Sequence, residues 1–245
     1  MNIYRTSSML KTLARGQLLG NYKTVVGALL TYWIIRGVLE SASSILTDTN
    51  TFFGIIISYI VLFIISLIMG VFSAGQAYLY LRLICNQSIR ASDIFHGFRH
   101  DTDKILMIQL CFSTIYYVSM LPGTICRHLF LYTGQQSFQT AYWALTALAY
   151  VIYLFVFLIL SQSFYLLLDF PEYSAREVIQ TSCQIMKGQK GRLFHIYISF
   201  IPFILLGFLS LGLSFLWIMP YMNATFANFY IDLIQKRNHD PALGN

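Results

Sequence analysis

Charge is scarce in this chain: 11% of its 245 residues are Asp, Glu, Lys or Arg, against 57% hydrophobic. Soluble domains carry roughly 25% charged residues. The chain therefore has too few polar groups to cover its apolar surface in water, and a soluble globular domain is excluded. Cysteine is sparse as well. Cys85, Cys111, Cys126 and Cys183 stand singly with no C-x-x-C pair, which argues against a disulfide framework or a zinc site and leaves four small apolar residues. Catalytic signatures are missing: no H-E-x-x-H, G-x-S-x-G or Walker-type run occurs, so enzyme activity has no positive support and no cofactor is implied. The nearest approaches fail on context. His96 and His100 are four apart, but Gly97 weakens a helix there and no acidic residue lies between them. Asp101-x-Asp103 would need a folded nucleotide-binding domain to work on a metal–nucleotide, and it reads as a solvated turn.

What the chain has in plenty is long apolar runs, arranged in a cycle that occurs three times. Each cycle has a short amphipathic stretch, a polar turn, an apolar span, an outer turn, and a second apolar span that ends in a Tyr-bearing stretch. The cycles begin near Met9-Leu10-Lys11, Asp93-Ile94-Phe95 and Glu177-Val178-Ile179, and end at Tyr78-Leu79-Tyr80, Tyr165-Leu166-Leu167 and Phe229-Tyr230-Ile231. Self-similarity of this kind makes the helical hairpin the building unit. The expected fold is all-α: a polytopic membrane protein with six transmembrane helices as three helical-hairpin repeats, each preceded by an amphipathic interfacial segment. The spans fall near 24–45, 52–83, 105–121, 138–168, 193–209 and 214–234. The repeats cover roughly 1–90, 91–172 and 173–238 of a single integral membrane domain, with 239–245 as a flexible tail. The first 23 residues are polar and basic and no cleavage pattern follows the first apolar run, so a retained span is expected and no signal peptide.

Charge placement orients this arrangement. Of the 16 Lys and Arg residues, only Arg36 and Arg127 do not fall on the side of the N-terminus. The positive-inside rule then places both termini in the cytoplasm and requires an even number of spans. The net charge of +6 follows from the same asymmetry and gives a cytoplasmic surface for anionic headgroups, worth ~1 kcal/mol per residue close to the lipid. Nucleic-acid binding is a poor reading, because the basic residues are scattered among turns and form no continuous patch.

Local signals refine the picture. Ser66, Gly70 and Ala74 put small side chains on one helix face, where a neighbouring backbone can approach, and Gly70 and Gly75 are expected points of bending. Pro122-Gly123 is expected to end the third span, with a short surface helix after Thr124, and Pro220 to interrupt the sixth. Ser174-Ala175-Arg176-Glu177 is a capping box. Ala175, Val178, Ile179, Ser182, Ile185 and Met186 then share one face, which predicts an amphipathic helix along the inner membrane surface.

The run Ser182…Met186-Lys187-Gly188-x-Lys190-x-Arg192-Leu193-Phe194, then Ser199-Phe200-Ile201, Gly212, Trp217, Pro220-Tyr221 and Phe229-Tyr230, resembles the bacterial integral-membrane family called domain of unknown function 975. Phe95-x-Gly97-Phe98, Pro122-Gly123 and Asp169-x-Pro171 are similar to its other recurring elements, in the same order. The stretch between Pro122-Gly123 and Asp169 is longer than is usual in it. The resemblance implies a membrane fold and a bacterial cytoplasmic membrane as its location. It implies no activity, substrate or catalytic residue.

Two groups of residues are candidates for a site. Arg36 and Glu40 form the one oppositely charged pair inside an expected span, on a shared helix face, and an intramembrane charge is costly enough to suggest a role. The bland alternative is snorkelling to the surface. Gln109 and Asn223 join them as candidate intramembrane polar groups, with Gln76, Gln162, His195 and Asn228 of the same type; ordinary interhelical hydrogen bonding is the competing reading. Arg176, Lys187, Lys190 and Arg192 make a candidate interfacial site for anionic lipid. The leading functional expectation is a non-enzymatic interaction or accessory protein whose partners are lipids and another membrane protein. The alternative is a small transporter or channel with a polar path between the repeats. A connected polar cavity reaching Arg36, Gln109 and Asn223 would favour transport, and a dry, closely packed bundle the accessory role.

The topology is directly measurable. In a version cleared of native cysteines, a cysteine at position 189 is expected to react from the cytoplasmic side and one at position 50 only from the opposite side. The reverse pattern would overturn the assignment.

Overall fold

Apolar runs cannot leave backbone N–H and C=O groups unpaired in a bilayer, so they fold as helices. The structure, a computed structural model, describes residues 4–46 and 51–239, and among them there is no strand. The elements are α1 (Ser7–Leu18), α2 (Tyr22–Leu46), α3 (Phe52–Ile84), a 3-10 helix (Ala91–Phe98), α4 (Thr102–Thr133), α5 (Gln136–Leu160), α6 (Ser163–Asp169), α7 (Ala175–Ile185), α8 (Lys190–Ile198), α9 (Ile201–Leu209) and α10 (Phe215–His239). Among the described residues five stretches are long and apolar enough to cross a membrane: Tyr22–Ile45, Phe53–Ile84, Thr102–Thr133, Gln136–Asp169 and Lys190–Leu209. Most of the tail at 239–245 lies outside the described residues.

The core sits at one end of the bundle, the base, where α1, α6, α7 and the last turns of α3 and α10 meet. Leu10, Leu18, Leu79, Leu166, Phe229 and Tyr230 are fully buried there. The amphipathic period of α1 explains its docking: Leu10, Ala14 and Leu18 line one face and bury it, mainly against α10. Polar ties fix the register. The Gln17 and Asn228 amides bond each other at 2.6 and 3.3 Å, and the Tyr230 hydroxyl donates to Asp169 Oδ2 at 2.8 Å. Asp232 accepts from Arg192 and from the Arg5 backbone N–H, while the Arg192 guanidinium also donates to the Arg5 carbonyl at 2.6 Å. Arg5 adds a second charge 3.9 Å from the carboxylate. At the other end, the crown, Phe53, Trp143, Leu209 and Leu211 are exposed, as suits contact with lipid tails.

Several sequence expectations are corrected here. Pro122 does not end a helix; α4 runs on for 32 residues to Thr133, so no separate surface helix follows Thr124. A proline costs an intrahelical bond, but neighbouring helices stabilise such a site in an apolar bundle. Gly123 lets α4 approach α5 closely: a Cβ there would sit 2.8 Å from Thr146 Oγ1. The turn falls at Gly134, whose φ of 66° is cheap only for glycine and whose N–H caps Phe130 at 2.8 Å. Pro220 likewise lies inside a continuous α10. Gly70 and Gly75, the expected points of bending, are points of close contact within the continuous α3. A Cβ on Gly75 would fall 1.9 Å from the Ile94 carbonyl oxygen, because the 3-10 helix packs backbone-first against α3.

That contact generates a stability prediction. Gly75→Ala forces the 3-10 helix off α3 and is expected to cost about 1–3 kcal/mol, read as a lower thermal midpoint in detergent. Gly37→Ala, with nothing within 4 Å of the added methyl group, leaves the midpoint unchanged or higher.

Candidate functional site

Two of the long apolar stretches are broken, and the breaks shape the interior. The first lies at Ser161-Gln162, between α5 and α6, where short polar side chains compete for the backbone. Ser161 Oγ donates to the Leu158 carbonyl at 3.3 Å, and Gln162 Nε2 donates to Ser161 Oγ at 2.7 Å. The second lies at Ser199-Phe200, between α8 and α9, because Pro202 in the first turn of α9 has no N–H to offer the preceding turn. Each break is closed by a base helix. Ser182 of α7, itself fully buried, donates to the Ile159 carbonyl at 2.9 Å. Lys11 of α1 donates to the Ser199 carbonyl at 3.0 Å and lies 4.2 Å over the Phe200 ring. Burial, and then the charge of Arg15, lowers the pKa of the Lys11 ammonium.

Beside the breaks lies a cavity of about 300 Å³. Gln76 and Tyr80 of α3, Gln109 of α4, Gln162 at the α5/α6 break, Tyr197 of α8 and Asn223 of α10 are among its walls. Tyr80 pairs with Asn223 across it. Gln162 is 1% exposed, and its Oε1 has no partner among the described residues. A second cavity of about 450 Å³ lies beyond it, bounded by Tyr32, Arg36 and Glu40 of α2 and by Ser66, Gln109 and Tyr117. Ser73, Gln109, Phe112 and Tyr153 line both cavities. Gln109 is held at this shared wall: its Nε2 donates to the Ser66 carbonyl at 3.1 Å and to Ser113 Oγ at 3.2 Å, and its stem covers Gly70.

The structure therefore brings Gln76, Gln109, Gln162 and Asn223 to one cavity. Arg36 and Glu40 stand on the adjoining one, paired Nε to Oε1 at 2.8 Å and about half-exposed. His195 is exposed elsewhere, and Asn228 is spent on Gln17. The four basic residues proposed for the interface divide. Arg176 and Lys187 are exposed, Lys190 reaches over the Phe155 ring at 4.6 Å, and Arg192 turns inward to Asp232. The α7 capping box forms as expected, with Glu177 accepting from the Ser174 N–H at 2.8 Å, a bond that lowers the pKa of its carboxyl group. The buried face of α7, Ala175, Val178, Thr181 and Ser182, packs on protein. Sequence reasoning missed the tyrosines of the cavity and both breaks. Pro202 and the polar triplet Ser161-Gln162-Ser163 inside an apolar run were the available signals. Among the described residues no three His, Cys, Asp or Glu side chains stand close enough to share a metal ion.

The fold and its interior define a helical bundle of apolar, membrane-length helices around polar cavities. The chain belongs to the family described as protein of unknown function (DUF975), whose model matches residues 1–238. Searches of curated proteins and of solved structures found no match.

The Arg36–Glu40 pair yields a measurable expectation. Arg36→Leu and Glu40→Leu each leave a lone charge at the cavity and lower the thermal midpoint in nanodiscs, while the double substitution recovers most of the loss. Mild losses that simply add would mean that the two side chains do not depend on each other.

Proposed function

We propose that this protein is a small transporter or channel that gives polar solutes a path through a bacterial cytoplasmic membrane. The observation that carries this reading is the pair of adjoining cavities with a shared wall at Ser73, Gln109, Phe112 and Tyr153, one bounded by Arg36 and Glu40 and the other by Gln162 and Asn223. Polar space inside an apolar bundle is costly unless it is used, and discontinuous helices beside it are how membrane transporters expose backbone and side-chain polar groups to solutes. The chemistry is non-enzymatic: positioning and hydrogen bonding.

The topology that goes with this function has six crossings in three hairpin repeats. In support of it, a short helical segment precedes each of the pairs α2/α3, α4/α5–α6 and α8–α9/α10. The sixth crossing is α10. Its apolar character is diluted by Asn223, Asn228 and Asp232, which turn toward protein partners rather than lipid. Both termini lie in the cytoplasm, where the exposed Arg176 and Lys187 meet anionic headgroups.

An accessory role is the second reading, favoured by one feature: an apolar groove of about 430 Å³ between α3 and α4, lined by Ile55, Ile60, Leu121, Ile125 and Leu129, which offers a surface to lipid or to another membrane protein.

Light scattering of proteoliposomes separates the two. Transport predicts that at least one class of small polar solute equilibrates faster than in protein-free vesicles, and that Ser73→Phe, which adds bulk at the shared wall, slows it several-fold. Rates equal to those of empty vesicles for neutral and ionic solutes alike would leave the accessory reading in front.

A further inference from the structure

The cavity behind Gln162 has a chemical character that selects its occupant. About 300 Å³ corresponds to the volume of about ten liquid waters, room for a molecule of about ten non-hydrogen atoms. No Asp, Glu, Lys, Arg or His lines it; its polar groups are amides and hydroxyls, and the rest is largely aromatic. An ion entering would lose its hydration and gain no opposite charge. An apolar molecule would cover the Gln76 amide and leave it without a partner, which costs its desolvation. A molecule rich in hydroxyl groups avoids both penalties, because each hydroxyl donates and accepts, as the lining groups do. Its carbon face then lies against Tyr197 and Phe226, whose ring centroids stand 4.4 Å apart.

One side chain carries the contact. Gln162 is 1% exposed and its Nε2 is already engaged with Ser161 Oγ at 2.7 Å, so it closes the wall from behind and is sealed from a solute. Gln76 of α3 is only partly buried and lines the space, so its amide can both donate to and accept from a hydroxyl group there. We infer that this cavity binds an uncharged polyhydroxyl compound of polyol or monosaccharide size, with the Gln76 amide hydrogen-bonded to one of its hydroxyls. The inference names the solute for the path proposed above and rests on that reading.

The test uses the full chain in nanodiscs and calorimetric titration with xylitol, glucose, choline chloride and sodium glutamate. Saturable heat is expected with xylitol or glucose and none with the two salts. Gln76→Leu weakens that titration about tenfold, and Gln76→Met serves if Gln76→Leu does not fold. Gln162→Leu raises the thermal midpoint of the ligand-free protein by about 2–4 °C, because the unpaired carbonyl is gone. Saturable polyol heat that is weakened in the Gln76 variants, with no protein-dependent flux in vesicles, supports the site and removes only the transport reading. Protein-dependent flux of choline or glutamate without polyol heat overturns the site and leaves transport standing. No saturable heat with any probe means that the cavity holds water only, and the inference fails.

Discussion

A helix broken inside an apolar bundle releases carbonyl oxygens that water cannot reach, and each must find a donor from within the protein. The rest of this architecture depends on that constraint. The break at Ser161-Gln162 is served by Ser182 and the break at Ser199-Phe200 by Lys11, which come from the two amphipathic helices α7 and α1. Those helices are therefore structural parts of the bundle, each inserting one polar side chain into the chain it supports, and their apolar faces are buried against protein as a result.

The same economy shapes the rest of the interior. At the base, small and large residues interlock and exclude solvent. Toward the middle, amides and phenols replace aliphatic side chains, and packing gives way to space. Gln109 marks the border: its stem needs Gly70 opposite it, while its amide faces both Ser66 and the shared cavity wall. Close packing and polar cavities are compatible here because they divide a single side chain between them.

Much of the fold was legible in the chain because its strongest signals are local. The apolar runs of α2, α3, α4 and α5, the capping box at Ser174 and Glu177, and the four-residue spacing of Arg36 and Glu40 all depend on residues near in sequence, and all appear in the structure. The prolines were harder to read, because their effect depends on what surrounds them. Pro122 and Pro220 are carried within helices, whereas Pro202 contributes to a break two residues upstream. Gln109 and Asn223 stood out as polar groups in apolar runs. Tyr80, Tyr165 and Tyr197 did not, since a tyrosine in a membrane helix gives no sign of whether it faces lipid, protein or a cavity. Arg192 was misleading for a related reason: its turn is rich in basic residues, and only the position of Asp232, on a distant helix, shows that it turns inward.

The tie between Arg5, Arg192 and Asp232 has a consequence for biogenesis. It joins positions separated by 227 residues, so α1 is made long before α10, the partner that ties down its N-terminal end. Ribosomes add roughly 5–20 residues per second, which leaves α1 without its partner α10 for on the order of tens of seconds while the intervening helices enter the bilayer. During that interval the stripe of Leu10, Ala14 and Leu18 lacks its main protein partner and has only the smaller contact with α3, and it suits a parked, surface-bound helix as well as a docked one. The arrival of Asp232 then acts as a latch. The segment around Arg5 is held in place only once α10 is complete.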